Sequence, residues 1–317
     1  MKIKIVNVDL EEIDDNDAFF RISSPSDPFK LAQSINTIGL INHPYIIATE
    51  NKFSIVSGFR RFSACRFLKL KRISVKRIDP KTSIIECTKL AISDNVFQRN
   101  LNLIEQSRCY ALLDSVCKDK ETFYKALSGT GLPENPALIT KIIPLCRLPQ
   151  SIQVGIEKEA IPLSIAQLFL EIDEASARYL GNLFQELSLG LNKQREIIQM
   201  VIEIAKRDDL SLWDLLHHKA LLDIIDDKQL DKAKKAFKLR QWLKEKRFPQ
   251  LSEKIKTFNT EVEKLKLGHK VRLIPPAYFE GKKFNLSLDF SKKQDLVDVK
   301  EIIRRLEENE YLISLLR

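Results

Sequence analysis

Two spacings of hydrophobic residues alternate along roughly the first hundred positions of the chain. Short runs rich in Ile, Val and aromatic residues, each bounded by turn-forming or charged residues, predict strands. They lie at Ile3 to Val8, Tyr45 to Ala48, Phe53 to Val56 and Ile73 to Ile78. Helical spacing between these runs predicts helices at Phe29 to Ile38, at Phe59 to Leu68 and around Ser83 to Asp94. We therefore expect a small mixed α/β domain over residues 1–101.

In the middle of the chain, the hydrophobic residues follow helical spacing alone. Strand signals disappear after Asn102, and apolar residues recur at helical spacing as far as about Leu216. Gly and Pro residues interrupt this pattern at intervals that are ordinary for the helices of a small bundle. The pattern predicts an all-helical domain over residues 102–218.

The end of the chain returns to a mixed pattern. Residues 219–250 are predicted to form a basic linker or helix, and residues 251–317 a separate C-terminal unit. In that unit, Lys270 to Ile274 and Phe284 to Phe290 predict two strands, and an amphipathic helix is predicted from about Lys292 to Leu316. Such a unit exposes sheet edges and buries little by itself, so we expect it to form a homodimer. The fold class predicted for the whole chain is α+β.

Composition excludes several classes of protein. The chain has 317 residues, of which 44% are hydrophobic and 30% charged, as expected for two or three globular units. No apolar run approaches the length needed to span a bilayer, and the N-terminus turns acidic at once, so we expect no membrane partner and a cytoplasmic location. The five Cys and four His show no metal-ligand spacing, which argues against a zinc hydrolase.

The charge of the chain favours a polyanionic partner. Its formal net charge is +9. Residues 228–272 alone carry 15 Lys or Arg and five Asp or Glu, a balance of about +10. Double-stranded DNA is the expected partner, with Lys234, Lys235, Lys238 and Arg240 as candidate phosphate contacts. The alternative interpretation of this segment is a solvated helix face.

A first motif, Ser57-Gly58-Phe59-Arg60-Arg61, follows a predicted strand directly and opens a predicted helix. Glycine at such a turn lets backbone N–H groups approach an anion, and the helix N-terminus adds partial positive charge. Two adjacent Arg residues supply forked donors for phosphate oxygens. The motif predicts a triphosphate site, although a surface turn has the same pattern.

A second motif runs from Ser93 to Gln106. Asp94 and Asn95 offer hard oxygen ligands suited to Mg²⁺, and Arg99 could reach the same phosphates. The alternative is a helix that ends at Asp94-Asn95, a polar loop, and a new helix near Leu103 with Asn102 as its N-cap.

The two motifs, in this order, resemble those of the ParB family of DNA-partition proteins. Gly58-Phe59-Arg60-Arg61-Phe62-Ser63-Ala64 resembles the family's Gly-Glu-Arg-Arg-x-x-Ala box, and Asn95-Val96-Phe97-Gln98-Arg99-Asn100-Leu101 with Glu105 resembles its Glu-Asn-x-Gln-Arg-x-x-Leu box. The segment from Ile35 to Pro44 is similar to the family's Ile-x-x-x-Gly-x-x-x-Pro sequence, and Arg147-Leu148-Pro149 to the end of its helix-turn-helix.

The resemblance implies a ParB/sulfiredoxin-like N-terminal domain that binds CTP with Mg²⁺, a helix-turn-helix that reads DNA, and a C-terminal dimerisation unit. It further implies a nucleotide-gated clamp on chromosomal or plasmid DNA, moved by a Walker-type partition ATPase and associated with the nucleoid. The nucleotide-binding residues would be Gly39, Pro44, Ser57, Gly58, Arg60, Arg61, Asn95, Gln98 and Arg99, and the metal ligands Asp94 and Asn95. The helix-turn-helix would contribute Asn135, Thr140, Lys141 and Arg147 to DNA binding.

The sequence departs from the family at several of these positions. Phe59 and Asp94 both stand where the family has Glu, so slow CTP hydrolysis is left open. The Ser-Arg pair that begins the family's DNA-reading helix is missing, so no target sequence can be transferred. Two further readings stay open: a nucleotide-dependent enzyme on the same fold, kinase-like or nuclease-like, and a degenerate DNA-binding adaptor without nucleotide turnover.

Overall fold

The computed structural model describes residues 1–268, 270–281 and 283–316, with side chains apart from residues 293–298 and 316. The chain divides into two compact units, Met1–Gln194 and Arg195–Arg317. The division into residues 1–101, 102–218, 219–250 and 251–317 stays a prediction. The α+β fold class is confirmed, since a small sheet opens a largely helical chain. Within the described residues, no helix is both long and apolar enough to cross a membrane.

The first unit begins with a four-stranded sheet. Its strands are β1 (Ile3–Asp9), β2 (Tyr45–Ala48), β3 (Phe53–Ser57) and β4 (Arg72–Ile78), in the order β1-β4-β2-β3. Strand β4 pairs antiparallel with β1 and parallel with β2, and β2 forms an antiparallel hairpin with β3. All four predicted strands are therefore present, and the bounds of β2 are those predicted.

Three helices accompany this sheet: α1 (Phe29–Ile38), α2 (Phe59–Phe67) and α3 (Ile84–Val96). Their apolar residues and those of the central strands form the core, with Ile46, Val56, Phe62 and Val75 buried. Helix α3 begins with a capping box in which the Ser83 hydroxyl accepts from the backbone N–H of Glu86. The three predicted helices are confirmed, and α1 has the predicted bounds.

The remainder of the first unit is helical, as predicted. Its helices are α4 (Leu103–Val116), α5 (Lys120–Leu127), α6 (Pro136–Ile142), α7 (Gln150–Glu157), α8 (Leu163–Phe169), α9 (Glu174–Glu186) and the start of α10 (Leu191–Asp208). Asn102 is the N-cap of α4, as its sequence context predicts, because its side chain accepts from the N–H of Glu105. Helix α6 ends at Ile142, and the chain continues as a 3-10 helix, Ile143–Arg147, because Pro144 lacks the N–H of an α-helical hydrogen bond.

The second unit ends in a small α+β arrangement. After α10 come α11 (Leu212–Leu216), α12 (Lys219–Asp226), α13 (Lys232–Arg247), α14 (Pro249–Lys264), β5 (Val271–Ile274), β6 (Asn285–Leu288), α15 (Lys293–Glu308) and α16 (Glu310–Leu316). Strands β5 and β6 form an antiparallel pair over a cluster that includes Phe258, Val271 and Ile302. The prediction of one helix from Lys292 to Leu316 is wrong at one point, because the Asn309 side chain accepts from Leu312 N–H at 2.9 Å and starts a new helix.

Candidate functional site

A cavity of about 540 Å³ opens in the first unit beside the start of α2. It is lined by residues of the segment before α1, of α1 and the loop after it, of the start of α2, and of the end of α3 and the loop that follows. Four of the lining side chains are cationic, Lys30, Arg60, Arg61 and Arg99, and no described lining residue is Asp or Glu. The cavity is therefore suited to an anion.

Gly58 brings the N-terminus of α2 to this cavity. Its φ of +102° lies in the left-handed region that favours glycine. A Cβ at this position would lie 2.6 Å from Pro44 Cβ and 3.1 Å from Pro44 Cα, so only glycine fits against the proline. The first turn of α2, all of which is described, holds no acidic residue and no side-chain cap. Its unpaired N–H groups and the helix dipole add positive potential at the cavity wall.

Arg61 is fixed by a network that connects both motifs. Its Nη2 donates to Asp94 Oδ2 at 2.9 Å, and its Nη1 donates to the Asn42 carbonyl at 2.9 Å. Asp94 also accepts from the Ser57 hydroxyl, and its Oδ1 accepts from Gln98 Nε2 at 2.8 Å. The Arg61 and Asp94 side chains are each only 14% exposed. Both carboxylate oxygens of Asp94 are therefore occupied by donors of the chain itself.

Arg99 is held from the side of α4. Its two terminal nitrogens donate to the two carboxylate oxygens of Glu105 at 2.6 and 2.5 Å, and the Glu105 side chain is 6% exposed. These hydrogen bonds raise the pKa of Arg99 above its ordinary value. Glu105 completes the capping box of α4 at the same time, so this one carboxylate fixes both a helix start and a cavity cation.

The other two cations are available. Arg60 and Lys30 are exposed, and neither has a hydrogen-bond or ion-pair partner among the described residues. Lys30 and Ser34 are lining residues that the sequence analysis missed. They lie one turn apart on α1, so the polar i, i+4 spacing ahead of Gly39 is the signal that could have found them.

The structure brings together most of the predicted nucleotide-binding residues. Seven line the cavity: Gly39, Gly58, Arg60, Arg61, Asn95, Gln98 and Arg99. Pro44 and Ser57 lie behind the wall, where Pro44 contacts Gly58 and Ser57 donates to Asp94. Their role in nucleotide binding stays a prediction.

The predicted Mg²⁺ site finds no support in this arrangement. Asp94 accepts from Arg61, Ser57 and Gln98, so it is not a free carboxylate, and the Asn95 side-chain nitrogen donates to the Ala91 carbonyl at 2.8 Å. Across the described part of the chain, no three His, Cys, Asp or Glu side chains stand close enough to share a metal ion. The donor set does not fit a magnesium ion, which ordinarily takes one or two free carboxylates besides phosphate and water.

The predicted DNA-binding residues of the helical region differ in availability. Asn135 caps α6 by accepting from the N–H groups of Ala137 and Leu138, and the Thr140 hydroxyl donates to the Pro136 carbonyl. Lys141 and Arg147 are exposed, and no partner for either occurs among the described residues.

The basic helix α13 is extensively paired. Arg240 Nε donates to Glu196 Oε2 at 2.8 Å, and Lys235 donates to the Ile225 carbonyl. Lys234 lies 3.8 Å from Asp231. Lys238 is exposed and has no partner within the described residues. A DNA-binding role for these four residues stays a prediction.

Comparisons with known proteins repeatedly give the name ParB. No protein-family model matches the chain. It is 27% identical over 200 residues to the probable chromosome-partitioning protein ParB of Rickettsia bellii, covering 62% of this chain and 64% of that relative. It is 29% identical over 176 residues to the Rickettsia felis protein of the same name, covering 55% and 57%. The chain thus spans about three-fifths of the length of these two curated relatives.

Among solved structures, the C-terminally truncated ParB of Caulobacter crescentus complexed with CTP-gamma-S covers 58% of this chain and 99% of its own, at 18% identity and a TM-score of 0.26. A Pnob8-like ParB-N domain covers 62% and 93%, at 16% identity and a TM-score of 0.37. The curated relatives and the two motifs that frame the cavity both indicate a similarity to ParB proteins.

Proposed function

We propose that this chain is a DNA-partition protein whose N-terminal cavity binds CTP and whose DNA-bound form is a nucleotide-gated dimeric clamp. The observation that carries the proposal is the cavity wall: four cations from three segments, the N-terminus of α2, and no acidic residue among the described lining. Its volume of about 540 Å³ is ordinary for a small-molecule site. The choice of CTP rests on the resemblance of the two motifs to the ParB family.

Double-stranded DNA is the proposed macromolecular partner. Supporting this, the curated relatives are named as chromosome-partitioning proteins. Lys141, Arg147 and Lys238 offer exposed cations that no described acidic residue neutralises. A homodimer formed through the C-terminal unit, a Walker-type partition ATPase as partner, and association with the nucleoid belong to the same proposal.

Slow turnover is expected if the cavity hydrolyses CTP at all. A general base must lie within hydrogen-bond reach of the attacking water, and no described lining residue is a carboxylate or histidine. The same observation disfavours a kinase on this fold, because a kinase needs a base for the acceptor hydroxyl.

Calorimetric titration of the full chain with CTP, ATP, GTP and UTP in Mg²⁺ tests the proposal. We expect CTP to bind, and Arg60→Ala to weaken it by about tenfold or more, because a charge-assisted hydrogen bond to phosphate is lost. Arg77→Ala is the matched control, since Arg77 is exposed on β4 and does not line the cavity. A preference for ATP would favour the enzyme alternative, and binding of none with DNA binding intact would favour the adaptor.

A further inference from the structure

We propose that this cavity binds its nucleotide without a divalent cation, and that Asp94 is a positioning residue for Arg61 instead of a metal ligand. The inference rests on the proposed function, since it concerns how the same cavity recognises a triphosphate. It differs from what the resemblance implies, namely nucleotide held together with Mg²⁺.

The first argument is the occupancy of the Asp94 carboxylate. Oδ2 accepts from the Arg61 guanidinium and the Ser57 hydroxyl, and Oδ1 accepts from Gln98. A metal ion on Oδ2 would displace Arg61 or Ser57, and a metal ion on Oδ1 would have to share that oxygen with Gln98. In either position it would also stand within a few ångströms of the Arg61 guanidinium, which lies 2.9 Å from Oδ2, so two like charges would share one low-dielectric wall.

The second argument is the sign of the charge at position 59. The family motif has Glu there, whereas this chain has Phe59, which is buried. The guanidinium carbon of Arg21 lies 5.2 Å from the centroid of the Phe59 ring, a cation–π distance. The Glu of the family motif is thus replaced here by an aromatic ring that lies against Arg21. Of positions 59 and 94, at both of which the family has Glu, only position 94 carries a carboxylate in this chain.

The third argument is that the cavity already supplies the positive charge that a metal ion would bring to the phosphates. A divalent ion on a nucleotide neutralises phosphate charge and orients the phosphate oxygens. Here Arg60 and Lys30 are unpaired cations in the described lining, and Arg61 and Arg99 are held in place by carboxylates that do not line the cavity. The N-terminus of α2 adds further donors.

Titration with CTP in Mg²⁺ and in excess EDTA separates the two models. Metal-free recognition predicts dissociation constants within about threefold of each other, whereas a phosphate site that needs its metal would lose about tenfold or more in EDTA. Binding only in Mg²⁺ would overturn this inference and leave the proposed function standing. Binding in neither condition would overturn both.

Asp94→Asn gives a second and independent readout. The substitution keeps the size of the side chain but replaces one acceptor oxygen by an amide donor, so Arg61 is held less firmly. We expect CTP to bind more weakly, by about threefold or more and by the same factor in both buffers. The loss of a metal ligand would instead weaken binding in Mg²⁺ and leave binding in EDTA unchanged. Glu134→Gln removes one negative charge at an exposed site outside the cavity and controls for net charge.

Discussion

The cavity and the basic helix α13 show how differently two positive regions can be built. Helix α13 holds eight Lys or Arg in sixteen residues, but Arg240, Lys244 and Arg247 lie against Glu196 or Glu203. The cavity holds four cations, drawn from three parts of the chain. The cavity has fewer cations than α13, but its positive charge is more concentrated. Its four cations converge on one concave wall, and no described lining residue is acidic.

The difference lies in what the acidic partners do. Glu105 and Asp94 are largely buried behind the cavity wall, where each orients a guanidinium. Glu196 and Glu203 are partly exposed beside α13, where they reduce the charge available to a polyanion. A count of charged residues therefore locates a positive region, whereas burial and pairing decide how much of that charge a ligand meets.

The largest expected effect comes from removing a partner in the cavity wall. Arg99→Ala leaves the buried Glu105 carboxylate uncompensated, so we expect the free energy of unfolding to fall by about 3–5 kcal/mol. The measurement is denaturant unfolding of the variant and of the parent chain. Arg178→Ala breaks an exposed pair with Glu174 and should lower the free energy of unfolding by under about 0.5 kcal/mol. Equal losses in the two variants would show that burial does not distinguish the pairs.

Gly58→Ala should have the next largest effect, because it strains the turn that carries α2 to the cavity. The added Cβ meets Pro44 and the backbone is left-handed, so we expect a loss of about 2–4 kcal/mol in stability and weaker nucleotide binding. Gly129→Ala is the matched control, since Gly129 has a φ of +79° and a Cβ added there would meet nothing within 4 Å. It should lose only about 1 kcal/mol, the backbone contribution alone. Similar unfolding midpoints for the two variants would contradict the role of the Pro44 contact.

The elements of the fold were predictable because their signals are local. Helix α1 and strand β2 have their predicted bounds, since the spacing of apolar residues and the flanking turn-formers act within a few positions. The N-cap of α4 at Asn102 was predictable for the same reason. The break at Asn309 was not predicted, because the hydrophobic pattern continues through it and only the cap hydrogen bond ends one helix and starts the next.

The candidate site was only partly predictable. Its two motifs could be found in the sequence, but the Arg61–Asp94 pair joins residues 33 positions apart, and the Arg240–Glu196 pair joins residues 44 positions apart. Such pairs depend on which elements meet in the folded chain. Lys30 was missed because it lies outside both motifs and becomes a lining residue only once α1 stands beside the start of α2.

The difference between paired and unpaired cations predicts that the Lys and Arg residues of α13 contribute unequally to DNA binding. Lys238→Ala removes an exposed and unpaired charge, so we expect DNA affinity to fall about two- to fivefold near physiological salt, with a salt slope smaller by about one. Arg240→Ala should change the DNA affinity and the salt slope by less, because Glu196 already offsets the charge of Arg240. Fluorescence anisotropy with a labelled duplex over a series of salt concentrations measures both quantities. A larger effect of Arg240→Ala would mean that the pair opens on DNA.

The smallest expected effect concerns pH. Partial burial by itself would raise the pKa of Glu196, but the hydrogen bonds and charges of Lys244 and Arg240 outweigh it and lower the pKa below its ordinary value. The folded state therefore binds this proton less readily than the unfolded state, so the stabilisation is present at neutral pH and is lost as pH falls through the folded pKa. Glu196→Gln should lose about 0.5–1 kcal/mol at pH 7, and the difference from the parent chain should shrink below about pH 4. Denaturant midpoints at the two pH values measure the difference in stability, with Glu171→Gln as the exposed control. A difference that grows in acid would mean that Lys244 and Arg240 do not stabilise the Glu196 carboxylate.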